Sequence, residues 1–490
     1  MNSSISTSEF PDDLKKAVVK PTLKKDNADS DCLKNYRPVS NLPVVSKILE
    51  KVVLQQLNEH LSENDLHSSA QSGYRPHHSC ETLLVTMNDD IIKEMQDDNI
   101  VIVVLLDLSA AFDTIDHTIL LQKLLDDYNV TDEANKWFKS YLDGRSFSVN
   151  VNNVSSTFLS LLFGVPQGSL LGPILFILYI KHLQSIAAKY GLKIKLYADD
   201  SQLYISFHPN RPGEFHELTE RINQCLAEIK AWMVKNFMKL NDTKTELLLI
   251  GKPLVLAQCN LEVKLQFGNT TIQPTECKGD NWKSLGIKLD PNLSMERQLN
   301  SVKQKCCWTM TNMRRIGSYL DESVKIMLVK QLVISKLDYC NALYMNLPKT
   351  RLKKLKSILN GCIRFIYNVK ERQEDLIPYY KKAHILPIEE RIFFKVCLLC
   401  YKIVYGKAPD YLKQLIEMEP TCTDSQRTRA KPAEDTLRMK LPKMYKTKAS
   451  DRRFSVHAPV AWNSLPLRIR SISNIDSFKS MLKNYLFNSI

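Results

Sequence analysis

Two adjacent carboxylates in the segment KIKLYADDSQLYISF are the residues best suited to chemistry. Lys193–Tyr197 and Gln202–Phe207 each alternate polar with apolar residues, and the residues between them, including Asp199 and Asp200, are compatible with a turn. This pattern predicts a β-hairpin with both carboxylates at its tip. Close, hydrated carboxylates are the ligands that divalent cations such as Mg²⁺ prefer. An ordinary turn that contains aspartate has the same local sequence, so this segment alone does not distinguish a metal site from a structural turn.

A third carboxylate follows a strongly apolar segment. Val101–Asp107 reads VIVVLLD, which predicts a strand that is buried on both faces and is closed by Asp107. If the hairpin packs beside this strand, Asp107 meets Asp199 and Asp200. Phosphoryl transfer by two metal ions needs acidic ligands that converge from separate backbone elements. The pattern therefore favours a site for two Mg²⁺ or Mn²⁺ ions, because three close carboxylates repel one another without cations.

The charge distribution indicates a polyanionic partner. The 490 residues carry a net charge of +14. Basic residues concentrate in two stretches, since 301–372 has 15 Lys/Arg against 4 Asp/Glu and 427–470 has 12 against 3. A solvated helix face explains any one such stretch. Two long stretches favour contact with nucleic acid over contact with a membrane surface.

The cysteines and the apolar segments indicate the compartment. Twelve scattered cysteines without a disulfide-framework spacing predict a reducing, intracellular environment, and we expect the cytoplasm and the nucleus. Cys397 and Cys400 have the spacing of half a zinc site but lie in an apolar helical run, so we interpret them as core thiols. The N-terminus has no apolar signal region, and the longest apolar run, Leu170–Ile180, is too short for a bilayer. We therefore expect no membrane partner.

Three sequence blocks surround these carboxylates in a fixed order. They are LDLSAAFDTIDH, GVPQGSLLGPILF and LYADD, and they resemble motifs A, B and C of reverse transcriptases. The flanking blocks YRPVSNLPVVSKILEKVV, SGYRPHHS and LNDTKTELLLIG are similar to retrotransposons without long terminal repeats (non-LTR), of the jockey-like, LINE-type group. The resemblance covers nearly all of the chain. It implies an RNA-directed DNA polymerase, a nucleotidyltransferase that uses dNTPs to extend a DNA primer on an RNA template.

The resemblance assigns roles to individual residues. It implies that Asp107, Asp199 and Asp200 bind two metal ions, and that Lys244 protonates pyrophosphate unless it is a plain surface lysine. It implies that Phe112 excludes a 2′-hydroxyl, unless its ring only fills the core, and that Gln167 and Gly168 of the PQG loop contact the nucleotide and the template. It also implies that Arg37, Arg75 and Lys34 clamp the triphosphate, unless they are ordinary surface charges.

The resemblance also implies an α+β fold of the right-hand polymerase type, whose palm is an antiparallel sheet backed by helices. The expected parts are an N-terminal extension and fingers at 1–100, a palm at 101–290 with finger elements near 125–165, a helical thumb at 291–375 and a basic, mainly helical C-terminal region at 376–490. Full-length elements of this type carry an endonuclease domain ahead of the polymerase. Residues 1–9 leave no room for one, so we expect none in this chain.

Two other functions remain open from the sequence. A catalytically inactive or domesticated relic of such an element would bind nucleic acid through its basic second half and incorporate no nucleotide. A nuclease would use the same carboxylates, but it would leave the PQG loop unexplained, and no activating His or Glu accompanies the site. The presence of all three carboxylates, the PQG loop and Lys244 argues against simple decay.

Overall fold

The secondary structure mixes helices with five small sheets in the part of the chain that the computed structural model describes. The described residues are 2–25, 28–109, 112–241, 244–258, 263–267, 270–274, 282–371, 374–419, 437–442 and 451–490. The strands are β1 (Lys16–Leu23), β2 (Tyr36–Asn41), β3 (Ile100–Leu106), β4 (Leu108–Ser109), β5 (Ser146–Val151), β6 (Val154–Ser155), β7 (Leu159–Ser160), β8 (Lys193–Tyr197), β9 (Asp200–Phe207), β10 (Lys239–Leu240), β11 (Glu246–Ile250), β12 (Leu265–Phe267), β13 (Thr270–Ile272), β14 (Lys283–Ser284) and β15 (Ile287–Lys288).

The helices dominate the second half of the chain. They are α1 (Asn2–Ser6), α2 (Val44–Glu63), α3 (Cys80–Gln96), α4 (His117–Asp126), α5 (Asp132–Leu142), α6 (Gly172–Tyr179), α7 (His182–Lys189), α8 (Glu214–Lys235), α9 (Pro253–Gln258), α10 (Glu296–Ile316), α11 (Glu322–Val329), α12 (Ser335–Asp338), α13 (Lys349–Tyr367), α14 (Ile377–Lys382), α15 (Ile388–Val404), α16 (Asp410–Lys413), α17 (Phe454–Asn463), α18 (Leu467–Arg470) and α19 (Ile475–Asn488). A π-helical turn, Lys330–Ile334, joins α11 to α12.

The central sheet holds the apolar strand that precedes Asp107. Its strand order is β11–β3–β9–β8, and every pairing is antiparallel. Successive β3 side chains enter different cores, since Val103 packs with α3 and the C-terminal helices whereas Val104 packs with the helices α4 to α8. This burial on both faces explains why β3 is apolar throughout instead of alternating. The predicted doubly buried strand and the predicted antiparallel sheet are confirmed.

A second sheet is built from the N-terminal strands. Its order is β2–β1–β5–β6, with β7 also paired to β5, and β1 runs parallel to β5. The Ser40 amide in β2 donates to the Gln167 carbonyl oxygen at 2.7 Å. This hydrogen bond fixes β2 against the PQG loop, so residues of the second sheet are carried to the edge of the central one.

The helical second half shares its core with α3 and one face of the central sheet. One polar contact shows how tightly the parts are joined: Asp89 on α3 accepts hydrogen bonds from the Ser455 amide at 2.7 Å and the Ser455 hydroxyl at 2.9 Å. Cys397 and Cys400 are buried free thiols on α15, which confirms their interpretation as core residues. The predicted basic stretch 427–470 lies partly outside the described residues, and the predicted domain boundaries stay a prediction.

The described ranges contain no candidate for a membrane-spanning helix. None of the helices there combines the length and the apolar character that crossing a bilayer requires.

Candidate active site

The predicted hairpin is present and places two carboxylates at its tip. β8 and β9 pair from Lys193 opposite Tyr204 up to Tyr197 opposite Asp200, so a two-residue loop joins them. Ala198, the first residue of that loop, has a φ of +55°. A left-handed conformation at this position is usual for two-residue hairpin loops, although glycine adopts it more easily than alanine. Asp199 therefore lies at the turn, and Asp200 opens β9.

The register of the central sheet brings the third carboxylate to the same place. In the antiparallel pairing of β3 with β9, Leu106 lies opposite Ser201. One further step along that register sets Asp107 opposite Asp200. The structure thus brings together Asp107, Asp199 and Asp200, which are separated by about 90 residues in the sequence.

The three carboxylates influence one another electrostatically. The Asp199 and Asp200 side chains reach the surface, but the surrounding protein removes much of their solvent. This burial, then Asp199 and Asp107, raise the pKa of Asp200 to about 6. Burial likewise raises the pKa of Asp199, with a further increase from Asp107 and a decrease from Arg37. Like charges and lost solvent both disfavour the ionised carboxylates, so the site gains stability from a nearby cation.

Lys244 supplies one such cation from a neighbouring strand connection. Its ammonium nitrogen lies 3.4 Å from Asp107 Oδ2. It reaches this position because β11 begins two residues after Lys244 and pairs with β3, and because the Asn241 amide donates to the Asp107 carbonyl oxygen at 2.9 Å. The structure therefore places the predicted lysine at the carboxylate cluster.

The donor set suits hard divalent cations but is incomplete by itself. Carboxylate oxygens are the preferred protein ligands of Mg²⁺ and Mn²⁺, and the Lys244 ammonium already shows that a positive charge is accommodated at Asp107. The three carboxylates share one end of the sheet, but in the described ranges no group of three His, Cys, Asp or Glu side chains, these included, is placed so that it could hold a metal ion. Substrate oxygens would have to complete the coordination of a bound ion.

The three cations predicted from the fingers behave differently. Arg37, on β2, lies within electrostatic range of Asp199 and lowers its pKa. Arg75 instead donates from Nη1 to the carbonyl oxygens of Ser68 at 2.6 Å and Gln71 at 3.1 Å, so it holds its own loop. The Lys34 side chain is exposed, and no contact between the described residues joins it to the carboxylates. Of these three cations, Arg37 is the one that influences a carboxylate of the cluster, as far as the described residues show.

The PQG loop lies beside the site and is held by two close contacts. The Gln167 amide nitrogen donates to both carboxylate oxygens of Asp113, at 2.9 and 3.0 Å. Gly168 has a φ of +129°, and a Cβ there would stand 2.5 Å from the Ser40 carbonyl oxygen. Glycine is therefore required by both the backbone conformation and the approach of β2. The partner, Asp113, lies 54 residues before Gln167 in the sequence, so this contact ties the loop to the segment after β4.

Phe112 is half-buried and packs against the core beneath the PQG loop. Its ring centroid lies 4.9 Å from that of Phe176 on α6. The Val165 amide donates to the Phe112 carbonyl oxygen at 2.9 Å, which ties the aromatic residue to the segment before the PQG loop. The ring is thus partly a core residue, and its predicted exclusion of a 2′-hydroxyl stays a prediction.

Sequence reasoning missed three residues that approach the site. Tyr74 is exposed and lies within electrostatic range of Asp199, which together with burial raises the pKa of the tyrosine. Gln71 is buried and accepts a hydrogen bond from the Ala198 amide at 3.0 Å. Lys24 lies within electrostatic range of Asp113. Gln71 and Tyr74 flank the glycine of QSGYRP, and that glycine was the available signal for a close approach of two backbones.

A family comparison identifies the chain. The model of a family described as "Reverse transcriptase (RNA-dependent DNA polymerase)" matches residues 22–289, which is more than half of the chain and includes every predicted site residue. The chain belongs to this reverse transcriptase family. The family membership and the observed architecture confirm the predicted α+β, right-hand polymerase fold class of this reverse transcriptase.

The relatives in sequence come from transposable elements. "Probable RNA-directed DNA polymerase from transposon BS" of Drosophila melanogaster is 27% identical over 324 residues, covering 64% of this chain and 33% of that protein. "RNA-directed DNA polymerase from mobile element jockey" of Drosophila funebris is 25% identical over 377 residues, covering 74% and 39%. The reverse transcriptase chain therefore spans little more than a third of these relatives. The predicted resemblance to reverse transcriptases of jockey-like, non-LTR retrotransposons is confirmed.

Among solved structures, the apo telomerase from Candida tropicalis is similar to the chain with a TM-score of 0.38. The sequence identity is 13%, and the similarity covers 76% of this chain and 66% of that one.

Proposed function

We propose that the chain is an RNA-directed DNA polymerase that extends the 3′-end of a DNA primer on an RNA template. The observation that carries this proposal is the antiparallel register of β3 with β9, which sets Asp107 opposite Asp200 and beside Asp199. Polymerisation by two metal ions needs carboxylates from separate strands at one point, and this register supplies them. The reaction class follows from the family to which the chain belongs.

Two Mg²⁺ or Mn²⁺ ions are the proposed cofactors, held by Asp107, Asp199 and Asp200. When bound, such ions lower the pKa of the primer 3′-hydroxyl and stabilise the charge on the leaving pyrophosphate. The raised pKa of Asp200, caused by burial and then by the neighbouring carboxylates, supports a cation requirement. Lys244, whose ammonium nitrogen lies 3.4 Å from Asp107 Oδ2, would donate a proton to the leaving pyrophosphate.

The remaining site residues are proposed to bind the nucleotide and the template. Arg37 lies within electrostatic range of Asp199 and would bind triphosphate oxygens, for which a guanidinium fork is suited. Asp113 fixes the orientation of the Gln167 amide before a nucleotide arrives. The Phe112 ring is braced by Phe176, so it would clash with a 2′-hydroxyl and favour deoxynucleotides. Arg75 and Lys34 would assist only after the fingers close.

The proposed partners are an RNA template, a DNA primer and dNTPs, in the cytoplasm and the nucleus. The basic second half supports the nucleic-acid partners, since 301–372 carries 15 Lys/Arg against 4 Asp/Glu. Free cysteines, several of them buried, support a reducing compartment.

Primer extension on an RNA template with dNTPs and Mg²⁺ tests the proposed function. The double variant Asp199→Asn, Asp200→Asn keeps the side-chain volumes and removes the charges that hold cations. We expect extension to fall by about 1,000-fold or more, since metal-borne charge stabilisation is worth several kcal/mol. Undiminished extension by this variant would refute the site.

The matched control is Asp12→Asn, Asp13→Asn, a pair of adjacent aspartates at the surface. Asp12 there forms only an i,i+3 ion pair with Lys15. We expect extension by this control to equal that of the wild type, because no contact between the described residues joins Asp12 or Asp13 to the carboxylate cluster. An equal loss in both double variants would mean that the assay reports net charge and not the site.

A second candidate function is nucleic-acid binding without catalysis. The observation in its favour is α10, a helix in a basic stretch that exposes Trp308, with Tyr319 exposed shortly after the helix ends. Aromatic rings among cations can stack on unpaired bases. This candidate predicts RNA binding that weakens with salt and ignores the aspartate substitutions, together with no nucleotide incorporation by the wild-type protein.

A further inference from the structure

The loop 68–79 is hydrogen-bonded along β8 up to the catalytic turn. The Leu196 amide donates to the Ala70 carbonyl oxygen at 2.9 Å, and the Ser72 amide donates to the Leu196 carbonyl oxygen at 2.8 Å. Gln71, whose side chain is 2% exposed, accepts at Oε1 from the Ala198 amide at 3.0 Å and from the Gly73 amide at 2.8 Å. The loop therefore pairs with β8 at Gln71 and Leu196 and reaches Ala198, the residue before Asp199.

The backbones of the loop and the turn touch directly. A Cβ on Gly73 would stand 2.5 Å from the Ala198 nitrogen, so no side chain fits there. Ala198 itself has a φ of +55°, which a residue other than glycine keeps only where its surroundings impose it. Here the surroundings are the two-residue hairpin loop itself, the hydrogen bond to Gln71 and the contact with Gly73. The position of Asp199 and Asp200 thus depends on where the loop lies.

Tyr411 reaches this loop from the opposite end of the chain. It lies on α16, far beyond the matched region 22–289. Its hydroxyl oxygen is 3.0 Å from Ser72 Oγ and 2.9 Å from Thr82 Oγ1. One hydroxyl can donate to one of these oxygens and accept from the other, so it joins the loop to the first turn of α3.

The Tyr411 ring is held independently of its hydroxyl. The Lys195 ammonium lies 4.9 Å from the ring centroid, and the His78 ring meets the tyrosine ring edge-on at 5.5 Å. Cations are attracted to the face of an aromatic ring, and edge-to-face ring pairs are favourable. Removal of the hydroxyl alone would therefore leave the ring in place and release only the loop.

We propose that Tyr411 is a positioning residue for the Asp199–Asp200 turn, and that it acts through Ser72 and the loop 68–79. The C-terminal region then takes part in organising the polymerase site, in addition to any contact with nucleic acid. The catalytic consequence rests on the function proposed above, whereas the structural consequence, a turn held in place by Tyr411, does not.

The test compares Tyr411→Phe with Tyr405→Phe, which removes a hydroxyl from the same region. The Tyr405 hydroxyl donates to the Arg470 carbonyl oxygen at 2.8 Å and so bonds within the C-terminal helices. For Tyr411→Phe we expect amide hydrogen exchange at Leu196–Asp200 to rise about 3- to 10-fold, as the loss of one net hydrogen bond allows. For Tyr405→Phe we expect no change in amide hydrogen exchange at Leu196–Asp200, although the melting temperature of this variant falls as well.

Enzyme kinetics provide the second measurement. We expect Tyr411→Phe to lower kcat about 3- to 10-fold and to raise the Mg²⁺ concentration for half-maximal extension, with an unchanged KM for the primer–template. Ser72→Ala removes the same hydrogen bond from the other side. If Tyr411 acts through Ser72, the double variant Ser72→Ala, Tyr411→Phe has the defect of a single variant and not the product of two.

Two outcomes would overturn this role, and a third would separate it from the proposed function. Exchange at Leu196–Asp200 that is equal in Tyr411→Phe and Tyr405→Phe would make Tyr411 an ordinary core residue. Defects that multiply in the double variant would show that Tyr411 does not act through Ser72. A wild-type protein without polymerase activity, but with the expected exchange pattern, would overturn the proposed function and still support the positioning role.

Discussion

The carboxylates of the helical half have cationic partners, whereas Asp200 at the hairpin turn lies beside other carboxylates. Asp338 is held by Arg391, whose Nε donates to Oδ1 at 2.8 Å while Nη2 bonds Oδ2. Asp451 is fully buried and pairs with Arg453 Nη2 at 2.8 Å. At the turn, burial and the neighbouring carboxylates raise the pKa of Asp200 to about 6, and no ion pair within the described ranges reaches it.

The paired carboxylates therefore stabilise the fold, whereas the clustered carboxylates at the turn destabilise it. A paired carboxylate contributes to stability, because its partner and its hydrogen bonds replace lost solvent. A carboxylate beside two others costs stability until a cation arrives, and such costs concentrate at functional sites. Three substitutions test the comparison, and the free energy of unfolding is the common measurement.

The largest effect is expected in the helical half, for Arg391→Ala. This substitution leaves the Asp338 carboxylate, about one-third exposed, without its bidentate partner. We expect a loss of about 2–3 kcal/mol in the free energy of unfolding, measured by urea denaturation, because an uncompensated and largely buried charge remains. The control Lys413→Ala breaks the exposed pair with Asp410 and should cost less than about 0.5 kcal/mol. Equal losses would mean that burial does not distinguish these pairs.

An intermediate effect of opposite sign is expected at the turn, for Asp200→Asn without divalent cations. Because the folded-state pKa of Asp200 is raised to about 6 from 3.8, the folded wild type loses stability as the pH rises through this window. At pH 7 the variant should therefore be as stable as the wild type or more stable. This advantage should disappear as the pH falls from about 6 to about 4, measured by urea denaturation at each pH. A variant less stable than the wild type at pH 7 would contradict the cost assigned to Asp200.

Asp451→Asn is the matched control for that pH dependence. Burial would raise the pKa of Asp451, but hydrogen bonds from Arg453 and Gln96 outweigh it, so the pKa is lowered from 3.8. A lowered folded-state pKa means that the carboxylate stabilises the protein above pH 3.8 and that this contribution is lost as the pH falls further. The variant should thus be less stable than the wild type at pH 7, and the gap should close only in stronger acid.

The smallest effect on the free energy of unfolding is expected for Lys244→Gln, which removes the lysine partner of Asp107. The pair is largely exposed, so the free energy of unfolding should change by less than about 0.5 kcal/mol. Because the ammonium competes with cations for Asp107, Mg²⁺ should bind about twofold more tightly to the variant, measured by calorimetric titration. Lys252→Gln breaks the Lys252–Asp98 pair at the other end of β11 and should leave Mg²⁺ affinity unchanged. Weaker Mg²⁺ binding to Lys244→Gln would show that the lysine supports the metal site instead of competing with it.

Local patterns predicted much of the fold because they report local physics. The apolar run before Asp107 and the alternation around Asp199 each predicted the strand that is found. Helix α3 begins at Cys80 because Ser79 forms a capping box with Thr82, which is again a local contact. The resemblance to reverse transcriptases then supplied the order of the parts and the roles of the carboxylates.

What the sequence determined by itself is the set of carboxylates, the strands that carry them and the reverse transcriptase family, because these depend on residue type and short-range periodicity. Only the tertiary structure decided that Arg37 reaches the site while Arg75 binds its own loop. It alone showed that Tyr411 contacts Ser72 across 339 residues of sequence. Such contacts depend on how separate elements pack, and no periodicity in either segment encodes the identity of its distant partner.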